Sequence, residues 1–215
     1  MGVPVVRIPN AVAGIDPQPK EQVVLFAGNV TRRKGVDVLL EAWRNLDPPG
    51  WRLVLAGPTP ERDLLAHPPD RTEFVGSLPR GELHALLGRA AVAVLPSRRE
   101  AMPLFVLEAM SAGAAAVSTR VGAIPDVLEG VGELVPPEDA PALGAALNRI
   151  ITSDQHRATL AAAARKRYRD RYSPEAVIPA LDEVFLAALA EPRRITRRNR
   201  GGDTTDSTRR SASRR

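Results

Sequence analysis

The chain has 215 residues, enough for one domain with a sizeable core or for two small ones. It contains no cysteine, which excludes disulfides and thiolate metal sites, and only 4% of its residues are aromatic. The net charge of +5 is unevenly spread: residues 191–215 hold nine arginines against three acids, a net of +6, which leaves about −1 for the rest. That stretch has almost no apolar residues and reads as a disordered Arg-rich tail, because it cannot bury enough surface to offset its ordering entropy. A solvated terminus is the plain reading, and contact with an anionic membrane surface is the sharper one. No aromatic side chain interleaves with the arginines, so specific nucleic-acid binding has no support. The first residues lack the apolar core of a secretory signal, and no apolar run approaches the roughly 20 residues that a membrane span needs. A cytoplasmic protein is expected, with the tail offering a contact to the inner face of the membrane.

Residues 1–20 are punctuated by proline and glycine and read as a linker arriving from elsewhere. Apolar runs of strand length follow at 23–27, 52–56, 73–75, 92–95 and 115–119, with a weaker sixth at 132–135. Helical patterns start near Gly35, Glu61, Arg80 and Pro103. From Val36 to Trp43 the apolar residues recur at steps of three and four, as on one face of a helix. This alternation predicts an α/β domain over 21–190: a Rossmann-like parallel sheet with helices on both faces. Beyond Glu138 the pattern is purely helical, with one helix at 141–152 behind an Asp139 cap and a second at 154–171. A third runs from Ser173-Pro174-Glu175 to about Ala190, so the sheet carries additional C-terminal helices.

The most informative stretch follows the fourth strand. A short polar loop with Pro96-Ser97 and Glu100 leads into a helix opened by Pro103, which carries Glu108-Ala109-Met110 and stops near Gly113. At the C-terminal edge of a parallel sheet, this spacing brings two carboxylates and free helix amides to one crevice. Carboxylates accept bonds from sugar hydroxyls, and amides donate to phosphate oxygens, a combination that suits a nucleotide-sugar. A second loop, Gly28-Asn29-Val30-Thr31-Arg32-Arg33-Lys34-Gly35, follows the first strand. Its Lys34 can neutralise a diphosphate, and Arg32 or Arg33 adds a fork of donors. It is neither a P-loop nor a G-x-G-x-x-G, because the glycine spacing differs. Gly57-Pro58 and Val75-Gly76 end the second and third strands and offer backbone on which a flat base can lie. Gly122, after the fifth strand, reads either as an ordinary turn or as a point where a backbone amide can meet a ligand. His67, His84 and His156 have no partner at metal or triad spacing and read as surface or helix-face residues.

Together, Gly28, Lys34-Gly35, Pro96-Ser97, Glu100, Glu108-Ala109-Met110, Gly113 and Gly122 resemble the C-terminal half of family 4 glycosyltransferases of the GT-B fold, from about Arg7 to Ala190. The resemblance implies a domain that binds a nucleotide-diphosphate sugar as substrate, with no resident cofactor and no required metal. By position, Glu100 resembles the glutamate facing the donor sugar and, with Lys34 on the diphosphate, makes up the catalytic pair. Glu108 resembles the ribose-binding glutamate. Met102, Pro103, Leu104 and Phe105 resemble the segment whose amides receive sugar and phosphate oxygens. Gly57 and Val75 resemble base-side contacts, and Gly28 and Arg33 complete the donor set. Asn29 stands where many members carry arginine, and Ala101-Met102-Pro103 where many carry Gly-aromatic-Gly.

A GT-B enzyme has two such halves, with the acceptor site on the N-terminal one. The resemblance therefore implies that residues 1–20 match the linker from an N-terminal domain and that the acceptor half is supplied elsewhere, by a second chain or by a longer parent protein. The last helix resembles the segment that crosses back to that half, so Val177, Leu181, Val184, Phe185 and Leu189 form a stripe awaiting cover. The competing expectations are a nucleotide-sugar-binding module without catalysis, and an anchor driven by the basic tail.

Overall fold

The computed structural model describes residues 6–46 and 48–190. The expected tail at 191–215 lies outside the described residues. Six strands form one all-parallel sheet: β1 (Glu21–Ala27), β2 (Arg52–Ala56), β3 (Thr72–Gly76), β4 (Ala90–Leu95), β5 (Ala115–Thr119) and β6 (Glu133–Val135), in the spatial order β3-β2-β1-β4-β5-β6. The helices are α1 (Val36–Arg44), α2 (Arg80–Arg89), α3 (Leu104–Ser111), α4 (Ile124–Leu128), α5 (Ala140–Thr152), α6 (Asp154–Arg171) and α7 (Pro174–Ala190). This is the Rossmann-like architecture that the strand–helix alternation predicts.

The buried parts of the central strands β1 and β4, Val23–Ala27 and Ala90–Leu95, are unbroken apolar runs because helices cover both faces of the sheet. Every residue of β4 is buried, as are the last five of β1. The edge strand β3 has no fully buried residue, and Phe74 in it is 42% exposed. The α1 helix presents Val36, Leu39, Leu40 and Trp43 to this core. Each such side chain contributes roughly 1.5–3 kcal/mol. The buried Trp43 indole donates to the Asp70 carbonyl at 3.1 Å, so its one polar group is paired. The helix ends follow the capping residues. Asp139 accepts from the Ala142 amide at 2.8 Å at the start of α5, and Ser153 accepts from the His156 amide at 3.2 Å at the start of α6.

One expected helix is absent. The pattern from Glu61 forms only a 3-10 turn at Arg62–Leu65. Prolines at 58, 60, 68 and 69 bracket this stretch too closely for an α-helix to propagate, since each removes a donor and restricts the residue before it.

Residues 6–20 have no regular secondary structure, yet they are stitched along the domain. Val12 and Ile15 join the core. The Val12 amide donates to the Tyr172 carbonyl at 3.2 Å, and the Tyr168 hydroxyl donates to the Val12 carbonyl at 2.8 Å. The Ile15 amide donates to Ser111 Oγ at 3.2 Å. Lys20 donates its partly buried ammonium to the Gly88 and Ala112 carbonyls at 2.8 and 2.7 Å and ties together the ends of α2 and α3. Burial and the nearby Arg165 guanidinium lower its pKa to about 8.

Candidate functional site

In a parallel sheet all the loops leaving the C-terminal strand ends share one rim. The chain runs outward from β1 to β3 in one direction and resumes at β4 on the other side of β1, so the loops after β1 and β4 flank the topological switch point. The loop after β1 is tied on one side to the loop after β2, through Gly28 N to Ala56 O at 2.9 Å and Val30 N to Pro58 O at 2.8 Å. Thr31 Oγ1 then accepts from the Lys34 amide at 3.3 Å and caps a 3-10 turn at Arg32–Lys34. Gly35 ends the turn with φ 72°, and a Cβ there would collide with the Pro96 carbonyl. Only glycine lets the Lys34 turn approach the β4 loop this closely.

The β4 loop is fixed from the other side. Ser118 Oγ donates to the Leu95 carbonyl and Thr119 Oγ1 to the Ser97 carbonyl, both at 2.6 Å and both buried. Gly122, with φ 55°, packs its backbone against the Glu100 carbonyl, and the Ala123 amide donates to the Ala101 carbonyl at 2.9 Å. Of the two readings of Gly122, the turn is what the packing displays: it lets the β5 loop buttress the Glu100 loop. Arg98 closes the assembly. Its guanidinium grips Asp37 bidentately at 2.7 and 2.9 Å, reaches Glu138 at 2.6 Å and donates to the Arg32 carbonyl. Burial pushes the Asp37 pKa up, but the Arg98 hydrogen bonds and charge outweigh this and hold the carboxyl below its ordinary range.

The result is a direct contact between two residues 66 positions apart. Lys34 Nζ lies 2.5 Å from Glu100 Oε1, and Ser97 Oγ donates to the same oxygen at 2.7 Å. The Lys34 and Glu100 side chains are only 18% and 10% exposed. Pro103, in extended conformation, precedes α3. Leu104 and Phe105 supply the first-turn amides, which have no acceptor one turn back. The Met102 side chain turns elsewhere: its sulfur accepts from the Asn10 amide at 3.4 Å, and it lines an apolar hollow of about 350 Å³ with Arg7, Pro9, Tyr172 and Val177.

Glu108 is not joined to the Lys34–Glu100 pair. Its carboxylate, 16% exposed, faces His84 of α2, with Nε2 3.7 Å away. The side chain of Arg33 is exposed and makes no ion pair among the described residues. Its neighbour Arg32 is committed to Glu61 and Asp63 at 2.9 and 2.6 Å. Gly57 and Phe74 line a hollow of about 520 Å³ with Thr59, Arg62, Gly76 and Ser77. Val75 points to the opposite face of β3, into a separate hollow with Leu78, Glu82 and Leu86. The Thr59 hydroxyl is buried without a hydrogen-bond partner.

Sequence reasoning missed four participants. The hydroxyl of Ser97 was visible only as part of Pro96-Ser97, and nothing in its spacing shows which carboxylate it serves. Arg98 stood inside the quoted motif but meets Asp37 only through the fold. His84 and Glu108 lie on consecutive helices that pack together, and the lone histidine carried no local signal. Phe74, an exposed aromatic beside Gly76, had the signal of an apolar residue at a strand end. Of the three histidines, His156 also faces a carboxylate, Glu133, at 2.9 Å.

On α7, Val177 is buried while Leu181, Phe185 and Leu189 are 36%, 59% and 81% exposed. Among the described residues, no helix is long and apolar enough to cross a membrane.

Comparison with known proteins agrees with this fold. Residues 10–167 match the family model described as "Glycosyl transferases group 1". A glycogen synthase of Mycobacterium tuberculosis is 33% identical over 197 residues, covering 87% of this chain and 47% of the relative. Sucrose-phosphate synthase from Thermosynechococcus elongatus superposes with a TM-score of 0.74 at 27% identity, covering 85% of this chain and 52% of that one. The C-terminal domain of the group 1 glycosyl transferase LpcC from Francisella tularensis superposes with a TM-score of 0.68 at 20% identity, covering 76% of this chain and 99% of that domain. The chain thus spans about half the length of the curated relatives it matches. It belongs to the group 1 glycosyl transferases, family 4, and corresponds to their C-terminal GT-B half.

Proposed function

We propose that this domain binds the nucleotide-diphosphate sugar in a glycosyl transfer whose acceptor site lies on an N-terminal half. The observation that carries the reading is the interlocked Lys34–Ser97–Glu100 group at the switch point. A diphosphate seated between the β1 and β4 loops meets the Lys34 ammonium and the first amides of α3, and Arg33 is exposed beside them. As the sugar bond breaks, negative charge grows on the departing diphosphate, and a fixed ammonium with oriented amides stabilises that charge where it develops. Glu100 faces the sugar and accepts from its hydroxyls, holding the anomeric carbon toward the acceptor. Glu108, with the His84 ring facing it, takes the ribose hydroxyls. Backbone at Gly28, Gly57 and Val75 supports the base side, and the exposed Phe74 ring adds a surface on which a base can stack. Residues 1–20 act as the incoming linker, and the apolar face of α7 docks against the acceptor half.

The test is a calorimetric titration of the chain with UDP-glucose, ADP-glucose and GDP-mannose. At least one of them is expected to bind, and Lys34→Ala or Glu108→Ala should weaken binding by roughly tenfold or more, the loss of one charge-assisted contact. Unchanged affinity in both variants rejects the reading. A nucleotide-sugar-binding module without catalysis predicts the same titration but no turnover when a matching N-terminal half is added.

A further inference from the structure

We propose that the Lys34–Glu100 ion pair makes the site select a nucleoside diphosphate that carries a sugar over the free diphosphate. This inference rests on the donor-site reading above. Lys34 is not a free cation waiting for phosphate: its ammonium is 2.5 Å from the Glu100 carboxylate, both side chains are largely buried, and Ser97 holds the same carboxylate oxygen. Any diphosphate that reaches Lys34 must displace this carboxylate or share the cation with it.

The outcome differs for the two ligands. A free diphosphate takes the ammonium and leaves Glu100 charged, poorly solvated and close to a second anion, with Ser97 as its remaining donor. An uncompensated buried charge of this kind is costly. A sugar-bearing diphosphate takes the same ammonium but presents hydroxyl donors to the released carboxylate. The exchange is then complete: phosphate replaces carboxylate at Lys34, and sugar hydroxyls replace the ammonium at Glu100. Once the sugar has left, Glu100 regains its need for a cation and competes with the product for Lys34. The ion pair therefore favours donor over product and promotes release of the spent diphosphate. Arg98 and Gly122 keep the carboxylate within reach by fixing the loop on both sides.

The experiment measures, by calorimetry, the affinity ratio of UDP-glucose to UDP, ADP-glucose to ADP and GDP-mannose to GDP for the wild type and three variants. The wild type is expected to favour the sugar form of whichever pair it binds. Glu100→Gln removes the competing charge, so the free diphosphate should bind roughly tenfold more tightly and the ratio should collapse. Lys34→Met should weaken both ligands. Ser97→Ala loosens the carboxylate and should move the ratio as Glu100→Gln does, by less; it carries the test if circular dichroism shows that Glu100→Gln is not folded. A ratio unchanged in Glu100→Gln, or a free diphosphate that binds more weakly there, overturns the proposal while leaving the donor site standing. A wild type that binds none of the six ligands overturns the donor-site reading and this proposal with it.

Discussion

The two flanks of the switch point are built differently. On the β4–β5 side, the loops are locked by bidentate Arg98, by the buried hydroxyls of Ser118 and Thr119, and by backbone contacts at Gly35 and Gly122 that exclude any side chain. On the β2–β3 side, prolines replace the helix with a 3-10 turn, Phe74 is exposed, and a hollow of about 520 Å³ remains open. On the proposed function, the locked flank holds the charges that meet the diphosphate, and the lock fixes their positions. The open flank has the character of a surface that accepts a flat, mostly apolar group with less demand on position.

Substitutions can break this contrast in order of size. Gly35→Val should have the largest effect. It forces a β-branched residue into φ 72° against the Pro96 carbonyl, costing about 2–4 kcal/mol of stability and displacing Lys34 from Glu100. Chemical denaturation reads the stability and calorimetry the binding. Arg98→Ala comes next, at about 1.5–3 kcal/mol, because Asp37 is left half-buried without its partner. The same pair sets an acid limit. Asp37 has a folded pKa below its ordinary 3.8, so its stabilisation is present above that value and is lost as the pH falls through the lowered one. Arg98→Ala should flatten the acid limb of a stability–pH curve, and a limb that stays as steep would show that other carboxylates dominate.

Smaller effects are expected away from the lock. Phe74→Ala on the open flank should change stability by less than about 1 kcal/mol, since the ring is already half in water, while weakening the binding of a nucleotide-sugar. Phe185→Ser on α7 should change the stability of this chain by no more than about 0.5 kcal/mol. A large loss there would mean that α7 is held by more than its Val177 end.

The same contrast explains what could be read from the sequence. The strands were legible because a strand covered on both faces must be an unbroken apolar run, as in β4 and β1. The Glu100–Glu108 segment and the Lys34 loop were legible because glycine and proline punctuate them where strands end. The partners were not. Arg98 meets Asp37 across 61 positions, and Lys34 meets Glu100 across 66. Local periodicity carries no information about either pair. Gly122 was visible as a turn, but its task of supporting the Glu100 backbone depends on the packing of two loops. The short turn at Arg62–Leu65 was misread because its composition suits a helix while the flanking prolines leave no room for one.

The most direct measurement is a crystal structure of the domain with the nucleotide-sugar that binds most tightly. The account predicts the diphosphate between the β1 and β4 loops, Lys34 Nζ moved from Glu100 onto a phosphate oxygen, and Glu100 accepting from a sugar hydroxyl. A bound donor with its phosphates elsewhere, and Lys34 still paired to Glu100, would contradict it.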